Sequence, residues 1–154
     1  MKRVSILLAI IAACAVCFSV AAKTKPKTVQ FTIRGHVEGT VQATATGALA
    51  IECCDVGITS HAGRHYNLFT GTLLPDGTGT SAGTWTGANK DQLVWTAIIN
   101  GTTLTVTVVS GTGRYLGATG GFLGEMSNLE LVVDPATGAG TISYDYIGEG
   151  QMTY

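Results

Sequence analysis

Val29-Gln30-Phe31-Thr32-Ile33-Arg34 sets an apolar side chain on every second position, and the same period returns at 41–46, 49–53, 65–74, 78–87, 91–99, 102–110, 122–133 and 141–147. A two-residue period places all the apolar groups on one face of a strand. Glycine, a turn former, and threonine, a strand former, dominate the same region, and all 21 glycines follow Ala22, which leaves little for a helix to use. Turn signals separate the segments: Pro75-Asp76-Gly77, Asn89-Lys90-Asp91, Asn100-Gly101, and Asp134-Pro135 with Gly138. Asn100-Gly101, between LVWTAII and TTLTVTVV, predicts a two-residue turn with both residues at positive φ. Eight or nine short strands without crossover helices imply an all-β, antiparallel fold that must bury its edges. A single eight-stranded closed barrel or a two-sheet β-sandwich would do so, and the density of glycine favours the barrel, whose strands coil sharply.

The first 22 residues have another character. Lys2 and Arg3 precede an apolar stretch from Val4 to Ala13, and the run closes on Val20-Ala21-Ala22, the pattern of a secretory signal peptide cut near Ala22. Residues 23–28 (KTKPKT) then read as a flexible lead-in and 29–154 as one barrel domain, with a secreted or periplasmic location and no membrane span in the mature form. A transmembrane anchor is disfavoured by the small-residue ending. A lipoprotein acylated at Cys14 is disfavoured by the apolar AVCFSVAA that follows that cysteine. With Cys14 and Cys17 removed, only the adjacent Cys53 and Cys54 remain, and neighbours cannot staple a fold across a loop. A vicinal disulfide, a bridge between chains and unoxidised thiols all stay open. The formal charge of −1 becomes more acidic without Lys2 and Arg3, which excludes the basic surface that nucleic acid requires.

Several motifs invite a chemical reading. SGTGRYLGATGGF (110–122) could be a phosphate-cradling loop or a corner between strands. Its glycines are spaced one residue wider than a dinucleotide fingerprint, and Gly120, Gly121 and Gly124 prevent the helix such a site needs, so no cofactor is expected. Gly79-Thr80-Ser81-Ala82-Gly83 has the form of a nucleophile elbow, but strand-like Thr84-Trp85-Thr86-Gly87 follows it, so Ser81 reads as a strand residue. His61 and His65 on an extended chain stand about 13 Å apart, too far for one metal, and no metal site is expected. In residues 141–147 alternation separates Ser143, Asp145 and Ile147 from Ile142, Tyr144 and Tyr146. An inward Asp145 would be a general-base candidate, and an outward one leaves the phenols to line the core. Trp85, Trp95, Phe69 and Tyr66 are core filling or the wall of an apolar pocket, and Trp85, Trp95, Tyr66, Tyr144 and Tyr146 form the candidate ligand-binding set.

With strand, corner and strand in this order, VSGTGRYLGATGGF (109–122) resembles the glycine-rich corner shared by plant dirigent proteins and allene oxide cyclases. Together with SHAGRH (60–65), TWTGANKDQL (84–93) and TGAGTISYDYIGEG (137–150), it resembles secreted bacterial proteins of the same barrel superfamily over most of the mature chain. The resemblance implies a calycin-like barrel with an apolar lumen, often assembled as a homo-oligomeric trimer, in which Gly111, Gly113, Arg114, Tyr115 and Gly117 are structural corner residues. Neither the dirigent acidic motif nor the cyclase's pocket carboxylate has a counterpart in this sequence, so no catalytic residue carries over. The expected role is binding of a small apolar molecule in the lumen. A cofactor-free isomerase or cyclase and a non-catalytic surface protein are the alternatives.

Overall fold

The computed structural model describes residues 25–154, so the leader read over residues 1–22 lies outside the described residues. The chain forms eight strands, β1 (Thr28–Ala43), β2 (Leu49–Thr59), β3 (Gly63–Leu73), β4 (Thr78–Gly87), β5 (Gln92–Asn100), β6 (Thr103–Gly111), β7 (Thr119–Val133) and β8 (Ala139–Thr153). Each pairs antiparallel with the next, and β8 returns to pair with β1, from Thr28 opposite Thr153 to Gln42 opposite Ala139. The sheet therefore closes as an up-and-down barrel, not a sandwich. Pairing extends one residue beyond the strands, since Lys27 and Tyr154 exchange backbone hydrogen bonds of 2.8 and 3.1 Å.

The segments 29–34 and 41–46 belong to a single strand that ends at Ala43. Alternation does not lapse between them, because Gly35 and Gly39 take inward positions among Ile33, Val37 and Val41. Glycine is required there by what lies over it: a Cβ on Gly35 would stand 2.7 Å from the Tyr146 ring and hydroxyl. Gly83 on β4 is similar, with its two partners Phe69 and Trp95 on either side and their rings 5.5 Å apart above it. In the same inward phase β2 continues past Cys53 through Asp55, Gly57 and Thr59.

Two parts of the interior differ in kind. Val41, Ile51, Ile99 and Ile142 pack one half of the barrel with aliphatic side chains. The other half is stoppered by the β6–β7 corner, whose residues Gly113–Tyr115 make one 3-10 turn. Gly113 and Gly117 sit at φ of +56° and +77°, where a side chain is strained. The turn drives Tyr115 into the barrel mouth, where it is fully buried against Trp85 and Tyr154, each with its ring 5.5 Å away. Arg114 stacks its guanidinium 4.7 Å from the Tyr115 ring centre and donates its backbone N–H to Asp91.

At the β5–β6 hairpin Asn100 pairs with Thr103, so the loop is Gly101-Thr102. Only Gly101, at φ +60°, is positive. The expected pair of positive angles at Asn100 and Gly101 is thus corrected: a two-residue turn led by glycine needs one such angle, which lets Asn100 complete the strand. Cys53 and Cys54 are free thiols on opposite faces, Cys53 buried and Cys54 half-buried. Burial pushes the Cys53 thiol up to about 12.

On the outside of the closing seam His36 of β1 meets Asp145 of β8, with Nδ1 2.7 Å from Oδ1. Asn128 donates to the other carboxylate oxygen at 2.7 Å. It stands at φ +52° in the β7 bulge between Ser127 and Glu130. Glu38 lies 3.5 Å from His36 Nε2. The Asn128 and His36 bonds hold the Asp145 carboxyl below its ordinary value, and the Asp145 bond foremost raises His36.

Two predictions follow from this packing. Gly83→Ala should lower stability by about 1–3 kcal/mol, because its Cβ would stand 2.5 Å from Phe69 Cβ and from the Leu68 carbonyl oxygen; urea unfolding measures this, and an unchanged midpoint would contradict it. The His36 ring should titrate above 6.5 by NMR and move back toward that value in Asp145→Asn. Its contribution to stability is complete below pH 6.5 and lost as pH rises through the raised folded value, whereas that of Asp145 is present above pH 3.8 and lost as pH falls through the lowered one.

Candidate functional site

A cavity of about 80 Å³ occupies the lumen on the stoppered side of the aliphatic core. Phe31, Ile33, Phe69, Leu93, Trp95 and Phe122 supply much of its wall. At the barrel end it reaches exposed His61 and half-buried Ala62 on the β2–β3 loop.

Into this apolar space two adjacent rows of the sheet bring polar groups. One row runs Tyr146, Gly35, Gly57, His65 and Gly87 across β8, β1, β2, β3 and β4. Two glycines therefore separate Tyr146 from His65. With no side chains between them the two rings lean over the gap, and His65 Nε2 comes within 3.1 Å of the Tyr146 hydroxyl. A Cβ on Gly57 would stand 2.5 Å from the His65 ring. The next row runs Tyr144, Val37, Asp55, Asn67 and Trp85, so Asp55 and Asn67 are direct cross-strand partners.

The direction of each hydrogen bond follows from what the groups can do. The indole N–H of Trp95 can only donate, which fixes the atom 3.0 Å away as the carbonyl oxygen of Asn67. The Asn67 amide nitrogen then donates to Asp55 Oδ2 at 2.8 Å. Tyr146 donates its hydroxyl to Asp55 Oδ1 at 3.3 Å. Having spent its proton, the phenol oxygen accepts from His65 Nε2, which also lies 3.3 Å from Asp55 Oδ1. Donors thus run from both sides toward one carboxylate, which is what a buried anionic acceptor needs. Burial first, and then the neighbouring Asp55, raise Tyr146, while burial, Cys53 and Asp55 raise Tyr144. Both phenols therefore keep their protons at neutral pH.

Trp85, Trp95, Tyr144 and Tyr146 all line the cavity, and Tyr66 does not. Tyr66 is 46% exposed on the outer face, opposite Val56, because the inward phase of β3 passes through His65 and Asn67. Asp145 is also outside, at the seam already described, and so has no access to the lumen. Ser81 is buried and faces the cavity, but no hydrogen bond joins it to a histidine among the described residues. His61 is at the rim, bonded to the Tyr154 hydroxyl, and His65 is inside. Gly111, Gly113, Arg114, Tyr115 and Gly117 lie at the β6–β7 corner, which seals the same end of the barrel.

Asp55, His65 and Asn67 were not among the sequence candidates for the lumen. Their signal is the phase of the strand: Ile51, Cys53 and Asp55 alternate in step, as do His65, Asn67 and Phe69. A reading that ends a strand at its last apolar residue stops at Cys53 and leaves the carboxylate out. The lumen does hold a carboxylate, although no motif announces one.

No protein-family model matches the chain, and no curated protein does. Among solved structures, the pterocarpan synthase dirigent protein GePTS1 aligns with a TM-score of 0.52 at 13% identity, covering 82% of this chain and 86% of that one. The pterocarpan synthase dirigent protein PsPTS1 aligns with a TM-score of 0.48 at 14% identity, over 80% and 94%. At 13% identity the likeness to the first concerns the backbone: the chain has the fold of a dirigent-like, closed eight-stranded β-barrel.

Proposed function

We propose that the lumen binds a small, mainly apolar molecule, anchored by one polar group at the wall formed by Asp55, His65 and Tyr146. The observation that carries this reading is the contrast inside one barrel. One half is filled with aliphatic side chains, and the other keeps open space beside a buried carboxylate, imidazole and phenol. A core built for stability alone gains nothing from such groups, whose desolvation is costly even when paired. Apolar walls with a few convergent polar atoms are the usual composition of a small-molecule site. With the secretory leader read from residues 1–22, the protein would act outside the cytoplasm as a carrier or receptor of this ligand.

An isomerase or cyclase acting in the same lumen is a second reading. It draws support from Asp55 beside Tyr146, a base and a proton donor in one pocket, and from the synthase name carried by a protein of the same fold. Binding is the better supported, because both oxygens of Asp55 are already engaged, one by Asn67 and the other by Tyr146.

Trp85 and Trp95, the two tryptophans of the chain, both line the cavity and report its occupation. Toluene or benzyl alcohol should change their fluorescence saturably, with one equivalent bound by native mass spectrometry. Ala97→Phe, which places a ring in the cavity, should abolish the change while leaving the far-ultraviolet circular dichroism unaltered. A wild-type protein that gives neither a saturable signal nor a mass increment would reject the lumen as a binding site.

A further inference from the structure

Three buried side-chain atoms have no hydrogen-bond partner among the described residues: His65 Nδ1, Trp85 Nε1 and the Tyr115 hydroxyl. Tyr115 belongs to the stopper, but His65 and Trp85 line the cavity. Both are more than nine-tenths buried, at 4% and 7% exposure. Their rings meet edge to face with centres 5.1 Å apart, so the two side chains belong to one stretch of wall. From Trp95 through Asn67 and Asp55 to Tyr146 the polar groups of that wall are engaged with one another. Buried polar atoms are nearly always satisfied, and these two are the fully buried atoms of the cavity wall that have no partner among the described residues.

What they require can be worked out from the network. The Tyr146 hydroxyl donates to Asp55, so the proton between His65 and Tyr146 is carried on His65 Nε2. In the tautomer that carries its proton on Nε2, Nδ1 presents a bare lone pair and can only accept. The indole Nε1 of Trp85 carries a hydrogen and can only donate. A hydrocarbon satisfies neither atom. A ketone or ether satisfies the indole alone. A hydroxyl oxygen satisfies both, accepting from Trp85 and donating to His65.

We infer that the lumen's ligand is a neutral apolar molecule bearing a hydroxyl group, seated with that hydroxyl between His65 Nδ1 and Trp85 Nε1. This rests on the lumen-binding reading above and adds the chemical class of the ligand. The site discriminates because a ligand without the hydroxyl leaves two buried polar atoms unpaired, a strong basis for rejection.

The test compares three probes that share one ring: benzyl alcohol, benzyl methyl ether and ethylbenzene, each titrated into the intact protein and followed by tryptophan fluorescence and by shift of the melting temperature. Benzyl alcohol should bind about tenfold or more tightly than ethylbenzene, with the ether between them. In Trp85→Phe, followed by melting temperature and Trp95 fluorescence, the ether should fall to the level of the hydrocarbon and the alcohol should lose part of its advantage. Ethylbenzene binding as tightly as the alcohol to the wild-type protein would overturn the inference and leave the lumen reading intact. Binding of none of the three would overturn both. The wild-type ranking decides the matter even if the variant fails to fold.

Discussion

Everything polar in the lumen depends on space left by missing side chains. Tyr146 and His65 stand three strands apart on the sheet, and they touch because the two positions between them are Gly35 and Gly57. The same device recurs two rows further on, where Gly83 lets Phe69 and Trp95 close over it, and Trp95 then reaches Asn67. In a narrow barrel the interior cannot hold a large residue at every inward position, so bulky groups alternate with none. Glycine here serves the tiling of side chains as well as the bending of strands. The hydrogen-bond chain onto Asp55 is a product of that tiling.

The barrel divides its interior between two tasks. Aliphatic packing of Val41, Ile51, Ile99 and Ile142 consolidates one half, and the aromatic stopper around Tyr115 and Trp85 seals the other end. Between them lies a short stretch where the wall is not fully packed. A buried carboxylate survives there because each of its oxygens receives a proton donor, and the donors are themselves held by the sheet register. The site is thus built on strands, whose geometry is more rigid than that of loops.

Much of this architecture was legible in the sequence because a two-residue period is a strong and repetitive signal. The all-β class and the antiparallel order follow from it, while the density and spacing of glycine favour the closed barrel and the corner at 110–122. The site was less legible. Asp55 is hidden because apolar residues mark a strand in the sequence, whereas the sheet continues wherever the backbone pairs. Tyr66 was drawn toward the lumen by its size, yet its position beside His65 and Asn67 puts it in the outward phase. Asp145 and the phenols next to it were separated correctly into two faces, but which face was inward depends on β1, and no local feature of residues 141–147 encodes it. The hairpin at Gly101 shows the same limit on a small scale: the dipeptide marks a turn, and the pairing of Asn100 with Thr103 decides where in the dipeptide the turn begins.

The seam between β1 and β8 also bears on how the protein reaches this state. Every other pairing joins strands that are consecutive along the chain, so hairpins can assemble locally and in any order. The seam joins residues near 28 to residues near 153, the most distant partners in the sequence, and a contact of that span forms at the greatest entropic cost of loop closure. Until it forms, β1 and β8 each present an unpaired edge, and Tyr146 has no Gly35 beneath it. The bonds of Tyr146 to Asp55 and His65 therefore depend on that closure, whereas Trp95, Asn67 and Asp55 are joined within the β2–β5 meander.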